Sequence, residues 1–290
     1  MTALDLFRLA GLVFAAVTLV VIGDTAGKLL AGQGVDPIFV AWSRFFIGAL
    51  LILPFSGLTF REVPKFFNWR VLLRAAFIAV GISSILTALE TEPIANVFGA
   101  FFVGPIVSYV IAIAFLGETP SRLRTGLLAV GFFGVLLVVK PGFGMSPGMV
   151  FAVAAGTCYG AYLAMTRAVA GAYRPRLLLM SQLLIGSVLL LPIGLGAELP
   201  SLNWSVSALV LVSALGSAAG NFLLVLANKR AEASLVAPLV YTQLFSATAL
   251  GVLVFGEWPD AIALAGLLLI ALSGLGALLL ERRPNPSLDQ

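Results

Sequence analysis

Three charged side chains stand inside apolar sequence, and their types and spacing set out the chemistry this chain could do. Asp24 and Lys28 lie four residues apart in VVIGDTAGKLL, and Arg44 follows in AWSRFFIGAL. An acid and a guanidinium away from water have two uses. They can neutralise one another as an ion pair that ties two helices, or they can meet a solute, Arg44 binding a carboxylate and Asp24 carrying a proton. Residues four apart share a helical face, so Lys28 lies on the face of Asp24, and its long stem lets the ammonium reach outward. Both uses stay open at this point: Asp24 and Lys28 as structural or coupling charges, Arg44 as a ligand contact.

A second pair of acids invites a catalytic reading and does not sustain it. Glu118 and Glu257 sit in two copies of Gly-Glu-x-Pro, at 117–120 and 256–259, a separation of 139. Each acid precedes a proline by two residues where a helix is expected to start. Proline suits a first turn and an acid complements the positive end of the helix dipole. Both are therefore read as helix caps or gate residues. The chain has no histidine and one cysteine, Cys158. It has no clustered intramembrane carboxylates and no phosphate-binding glycine loop. These absences argue against an enzyme and against a resident metal or cofactor.

The remaining polar atoms occur where an apolar helix has no need of them. The stretch 95–121 carries Asn96, Phe98, Phe101, Phe102, Ser108 and Tyr109, and its echo at 234–261 carries Tyr241, Thr242, Gln243 and Ser246. Elsewhere stand Thr157, Tyr159 and Tyr162, and Ser213, Ser217 and Asn221. Polar groups inside a bilayer are costly unless they face a bundle interior or a watery cavity. Hydroxyls and amides mixed with aromatic faces suit a small amphipathic, planar solute and not a bare ion. The expected binding set is Phe102, Tyr109, Tyr159, Tyr162, Asn221, Tyr241 and Gln243, with Arg44.

The elements that must position these residues are membrane helices. Of 290 residues, 60% are hydrophobic and 10% charged, with mean hydropathy +1.09. A soluble chain carries roughly a quarter charged residues. Ten apolar runs, near 8–31, 37–56, 70–89, 95–116, 122–140, 147–168, 177–196, 205–227, 234–255 and 260–281, are each long enough to cross a bilayer. The pattern repeats. Gly11 and Gly23 return as Gly148 and Gly160, Ser43, Gly48 and Pro54 as Ser181, Gly186 and Pro192, and Gly126 and Gly134 as Gly266 and Gly274. This divides the chain into two five-helix units, 1–141 and 142–290. Five is odd, so the second unit enters the membrane from the other side, and the expected fold is an all-α integral membrane protein with two inverted repeats. The glycine sets of the fifth and tenth helices predict close packing away from any cavity. Arg61, Lys65, Arg70, Arg74, Arg122, Arg124, Arg167, Arg174, Arg176, Lys229 and Arg230 fall in segments on the side of both termini, which places the termini in the cytoplasm. The net charge of +4 is thereby explained by topology, not by nucleic acid.

The chain resembles the ten-helix drug/metabolite transporters of the EamA type over nearly its whole length. Carrying the resemblance are Gly23 with Lys28, Arg44-Phe45, PIVSYVIAIAFLGETPS ending at Ser121, Gly126, Gly131 and Gly134, and the second copy ending FGEWPDA. It departs from the common pattern at Ile22-Gly23-Asp24 and at Trp258. The resemblance implies a secondary carrier of a small organic molecule in a bacterial inner membrane. An exporter of an aromatic amino acid is the leading expectation, uptake of a vitamin such as riboflavin the alternative, and a lipid flippase the alternative of another class. Expected partners are a small-molecule substrate and the lipid bilayer, with a homodimer left open.

Overall fold

The computed structural model describes residues 3–117, 119, 122–140, 145–194, 196, 200–201, 203–231, 236 and 239–281. They are helical almost throughout. α1 is Ala3–Ala31, α2 Pro37–Ser56, α3 Trp69–Thr91, α4 Ile94–Phe101 and α5 Val103–Leu116. α6 is Arg122–Val139, α7 Pro147–Ala170, α8 Pro175–Gly194 and α9 Trp204–Arg230. α10 is Gln243–Phe255 and α11 Ala261–Glu281, and a 3-10 helix, Phe60–Phe67, joins α2 to α3. Among the described residues seven spans are long and apolar enough to cross a membrane, α4 and α5 counting as one. Three shorter apolar helices accompany them.

Local sequence explains the ends. α2 starts on Pro37, with the Asp36 carboxylate accepting from the amides of Ile38 and Phe39. α7 starts on Pro147 behind Ser146, the same proline-behind-a-cap device. Asn68 and Asn203 cap α3 and α9 through their side-chain oxygens, with a tryptophan in place of the proline. α5 and α10 stop at Gly117 and Gly256, with φ of 72° and 68°. That left-handed conformation is why the Gly-Glu-x-Pro element begins with glycine.

The span expected at 95–116 is broken. α4 stops at Phe101, and Phe102 takes φ −70°, ψ 3° before α5 begins. The cause is Pro105, which lacks an amide hydrogen and whose ring crowds the carbonyl of residue 101. Gly99 in α4 serves packing: a Cβ there would lie 2.6 Å from the Val138 side chain on α6. The equivalent break precedes α10, where Tyr241 and Thr242 form a turn.

Helix packing exchanges the two halves. α1 packs along α9 and α7 along α3, while α2 lies on α8 and α6 on α11. Gly134 and Gly266 meet reciprocally, a Cβ on either falling 2.6 Å from the carbonyl oxygen of the other. Polar bonds gather the helix ends. At one end Lys28 of α1 reaches the Glu92 carbonyl, Ser146 donates to the Glu92 carboxylate, Glu257 accepts from the Ile94 amide, and Lys140 pairs with Asp260. At the other end Arg174 joins Glu62 to the carbonyl of Gly57.

Candidate functional site

Arg44 is the centre of the interior. α2 carries it inward to 2% exposure, and its three nitrogens go to three partners. Nη1 donates to Asp24 Oδ1 at 2.5 Å, Nη2 to the Gly23 carbonyl at 2.7 Å, and Nε to Ser213 Oγ at 2.7 Å. Asp24 is 1% exposed. The pair is neutral as a unit, and it locks α1, α2 and α9 together. A buried ion pair of this kind loses much solvation, so its further hydrogen bonds are what make it tenable. Lys28 does not share it. Its ammonium lies 2.7 Å from Glu257 and 5.1 Å above the Phe255 ring.

A cleft opens beside this pair. Asp24, Arg44, Tyr159, Ser217, Asn221 and Gln243 supply its polar wall, and Val20, Ile78, Gly81, Ile82, Ile85 and Phe101 its apolar wall. It holds about 440 Å³ free of protein atoms, its mouth included. Four of the expected binding residues thus come together: Arg44, Tyr159, Asn221 and Gln243. The Tyr159 ring leans on Phe101, with centroids 4.8 Å apart. Asn221 donates to the Ser217 carbonyl at 2.8 Å, but its own amide oxygen, though buried, meets no donor among the described residues. A buried acceptor without a partner costs free energy that a ligand donor would recover.

The other four expected residues stand elsewhere. Phe102 and Tyr241 stack on one another, 4.7 Å between centroids and 5° between planes, both buried. Tyr109 turns its hydroxyl to Thr125 of α6, 3.1 Å away. Tyr162 belongs to a second polar knot, around Arg74.

The sequence places Arg74 among the loop charges, and the structure corrects this. It lies in α3 with no exposed surface. Nε donates to Thr166 Oγ1 at 2.7 Å, Nη1 to the Leu178 carbonyl at 2.9 Å, and Nη2 to Tyr162 Oη at 3.0 Å and Gln182 Oε1 at 2.7 Å. The guanidinium also sits 4.7 Å from the Tyr162 ring centroid. All four acceptors are uncharged. Gln182 is the repeat equivalent of Arg44, each lying seven residues after the proline that opens its helix. So the first unit supplies both buried guanidiniums, at equivalent contacts between the units, one from α2 against α9 and the other from α3 against α8. Tyr159 and Tyr162 stack at 5.9 Å, which sets the Arg74 knot directly behind the cleft wall.

The acid of the second Gly-Glu-x-Pro copy acts across elements. Glu257 accepts from the amide of Ile94 at 2.9 Å and so caps α4. The helix that follows it, α11, is capped by Asp260, which accepts from the Ala263 amide at 2.8 Å. Glu118 lies outside the described residues.

Comparison with known proteins decides the family. The model of the EamA-like transporter family matches twice, over residues 8–140 and 146–279. The chain belongs to the EamA-like transporter family. Among curated relatives, a riboflavin transporter of Rhizobium johnstonii is 27% identical over 241 residues, 81% of this chain and 78% of that protein. An S-adenosylmethionine uptake transporter of Rickettsia bellii is 24% identical over 85% of each chain. A protein of known crystal structure superposes with a TM-score of 0.69 at 17% identity, covering 95% of this chain and 98% of that one, a likeness of fold alone. This EamA-like transporter is a multi-pass membrane protein whose relatives carry small metabolites.

Proposed function

We propose that this EamA-like transporter carries a flat nitrogen heterocycle bearing a hydroxylated chain, as in flavins and nucleosides, across a bacterial inner membrane. The observation that carries this reading is the buried, unpartnered amide oxygen of Asn221 in the same cleft as Gln243, Tyr159 and Phe101. An acceptor and a second amide select ring N–H and hydroxyl donors, and the aromatic edges select a flat face. The names of the riboflavin and S-adenosylmethionine relatives agree with that chemistry. Export of an aromatic amino acid is the second reading. It asks the carboxylate to compete with Asp24 for Arg44, whose three nitrogens each already hold a partner.

The carrier architecture in this proposal is ten crossings in two inverted repeats, 1–141 and 142–290, with both termini cytoplasmic. What supports the inversion is the gathering of helix ends. The ends of α1, α3, α6 and α10 meet the starts of α4, α7 and α11 at one pole. α5 then runs away from that pole and its equivalent α10 runs toward it.

The test is thermal unfolding of the purified protein with riboflavin, S-adenosylmethionine, tryptophan and phenylalanine, followed by flux into proteoliposomes. A ligand at 100 times its Kd stabilises by about 2.7 kcal/mol. The heterocycles should raise Tm, and Asn221→Leu should weaken their binding about tenfold. A shift with the amino acids alone would replace this reading with the second one.

A further inference from the structure

The molecule has a second recess that the carrier site does not use. It lies between α2, α8 and α9 and is lined by Ile52, Phe55, Leu179, Leu215, Ala218 and Phe222, among others. It holds about 760 Å³ free of protein atoms, its open side included. Ser56 and Arg176 stand among the lining residues. Both sit at helix ends, Ser56 closing α2 and Arg176 opening α8, while Leu215 to Phe222 run along the middle of α9. At 1.5 Å per residue that stretch of α9 gives an apolar wall about 10 Å deep.

The charge at this mouth is unbalanced. Arg174, two residues earlier, is engaged. It holds both Glu62 carboxylate oxygens, at 2.8 and 2.5 Å, and the Gly57 carbonyl at 2.6 Å. That bond network holds the Glu62 carboxyl below the usual carboxylate range, chiefly through the Arg174 hydrogen bond. Arg176 meets the carbonyl of Phe55 at 3.4 Å, and among the described residues it pairs with no carboxylate. The adjoining 3-10 helix adds exposed Arg61 and Lys65, and Arg70 follows it, lying over the Trp69 ring. Phe60 and Phe67 stand 96% and 75% exposed on the same segment. Cations with protruding aromatic rings at a helix end are the composition of a membrane–water interface, and clusters of Lys and Arg there attract anionic headgroups.

We infer that the α2–α8–α9 recess binds one anionic phospholipid, with its phosphate on Arg176 and an acyl chain along the apolar wall. Arg176 supplies a planar fork for phosphate oxygens, which a bare ammonium does not. Ala218 and Ala219 keep the α9 wall low enough to admit a chain. The leaflet concerned is the cytoplasmic one under the orientation proposed above, and the binding itself does not depend on that orientation.

Native mass spectrometry of the detergent-purified protein tests this, with equimolar phosphatidylglycerol and phosphatidylcholine of matched chains. Phosphatidylglycerol should be retained in preference. Arg176→Gln should reduce its retention about tenfold. Arg8→Gln, an exposed cation on α1 away from the recess, should leave retention unchanged. Ala219→Phe should reduce retention with Arg176 intact, because it fills the wall. Glycerol 3-phosphate, a headgroup without chains, should not compete. Equal retention of the two lipids, equal losses in Arg176→Gln and Arg8→Gln, or displacement by glycerol 3-phosphate would each overturn the assignment.

Discussion

Phe102 and Tyr241 lie face to face, 4.7 Å between centroids and 5° between planes, and their positions differ by 139. Gly117 and Gly256 differ by the same number, so residues equivalent under the repeat are touching. Each also sits at the break in its own helix. The stack therefore joins the two broken segments, and it leaves neither ring free to grip a solute. Gly274 packs against the Tyr241 ring, where an added Cβ would fall 2.8 Å from it. Tyr241→Ala should accordingly lower stability by about 3–5 kcal/mol, as truncation of buried aromatics does. Tyr241→Phe should stay within about 1 kcal/mol. Thermal unfolding in detergent measures both. An alanine variant of native stability with weakened ligand binding would return Tyr241 to the carrier wall.

The Asp24–Arg44 pair makes a second prediction. Removing either charge leaves the other buried without its counter-ion, so Asp24→Ala or Arg44→Ala should each cost about 3–5 kcal/mol. The double variant should cost less than the two losses added, because the stranded charge disappears with its partner. Additive losses in unfolding would show that the two side chains do not interact.

Much of this architecture is written locally, and some of it is not. Helix limits follow from prolines and caps within a few residues, such as Asp36-Pro37 and Gly256, and the repeat offset is visible in the glycines. Arg74 is different. Arg70 and Arg74 lie one turn apart at the start of an apolar run, a pattern that equally suits two loop-side cations. What buries Arg74 is the set Tyr162, Thr166, Leu178 and Gln182, which lies 88 to 108 residues away. Gln182 as the equivalent of Arg44 was the one available sign that the second half kept a polar contact there. Tyr109 fails for a related reason. Its helix carries polar residues on more than one face, and only packing shows that its hydroxyl turns to Thr125. Lys28 shares a helix face with Asp24, yet its long stem carries the ammonium to Glu257.

Arg74 predicts its own asymmetry. Its four acceptors need the donor fork of a guanidinium, so Arg74→Lys should recover little of the stability lost in Arg74→Ala. The combined change Arg74→Met with Gln182→Leu should cost less than Arg74→Ala, because it fills the space and removes one acceptor with the charge, while the Tyr162 hydroxyl and the Leu178 carbonyl still lose a donor. Unfolding of the three variants side by side decides this. A lysine variant of native stability would mean that charge alone is needed.

Glu62 gives the acid dependence. Its carboxyl titrates below its ordinary value because of Arg174. A depressed folded-state pKa means the contribution is fully present above the unfolded value, about 4.3, and is lost as pH falls through the folded one. Glu62→Gln should therefore narrow the gap to the wild type as pH drops below about 4.3, measured as the difference in Tm across pH 3 to 7. A gap that stays constant over that range would show that the pair contributes nothing in solution.

The clasp at the Gly256 end makes the last prediction. Lys28 bonds to Glu257 at 2.7 Å and to the Glu92 carbonyl at 2.5 Å, and the other Glu257 oxygen caps α4 through the Ile94 amide. One charge pair thus fastens α1, α3, α4 and the turn after α10. The pair is only partly buried, 11% and 25% exposed, so it is worth about 1 kcal/mol at most. Breaking it should leave the fold intact and still raise the open population about fivefold. Gln243→Cys, in a Cys158→Ser background, places a thiol on the cleft wall as a reporter. Lys28→Met and Glu257→Gln should each speed its reaction with a membrane-impermeant reagent by that factor. Glu257→Gln keeps an oxygen for the Ile94 amide, so the effect there isolates the lost charge. Unchanged labelling in both variants would mean that this end is closed by apolar packing, with the clasp only riding on it.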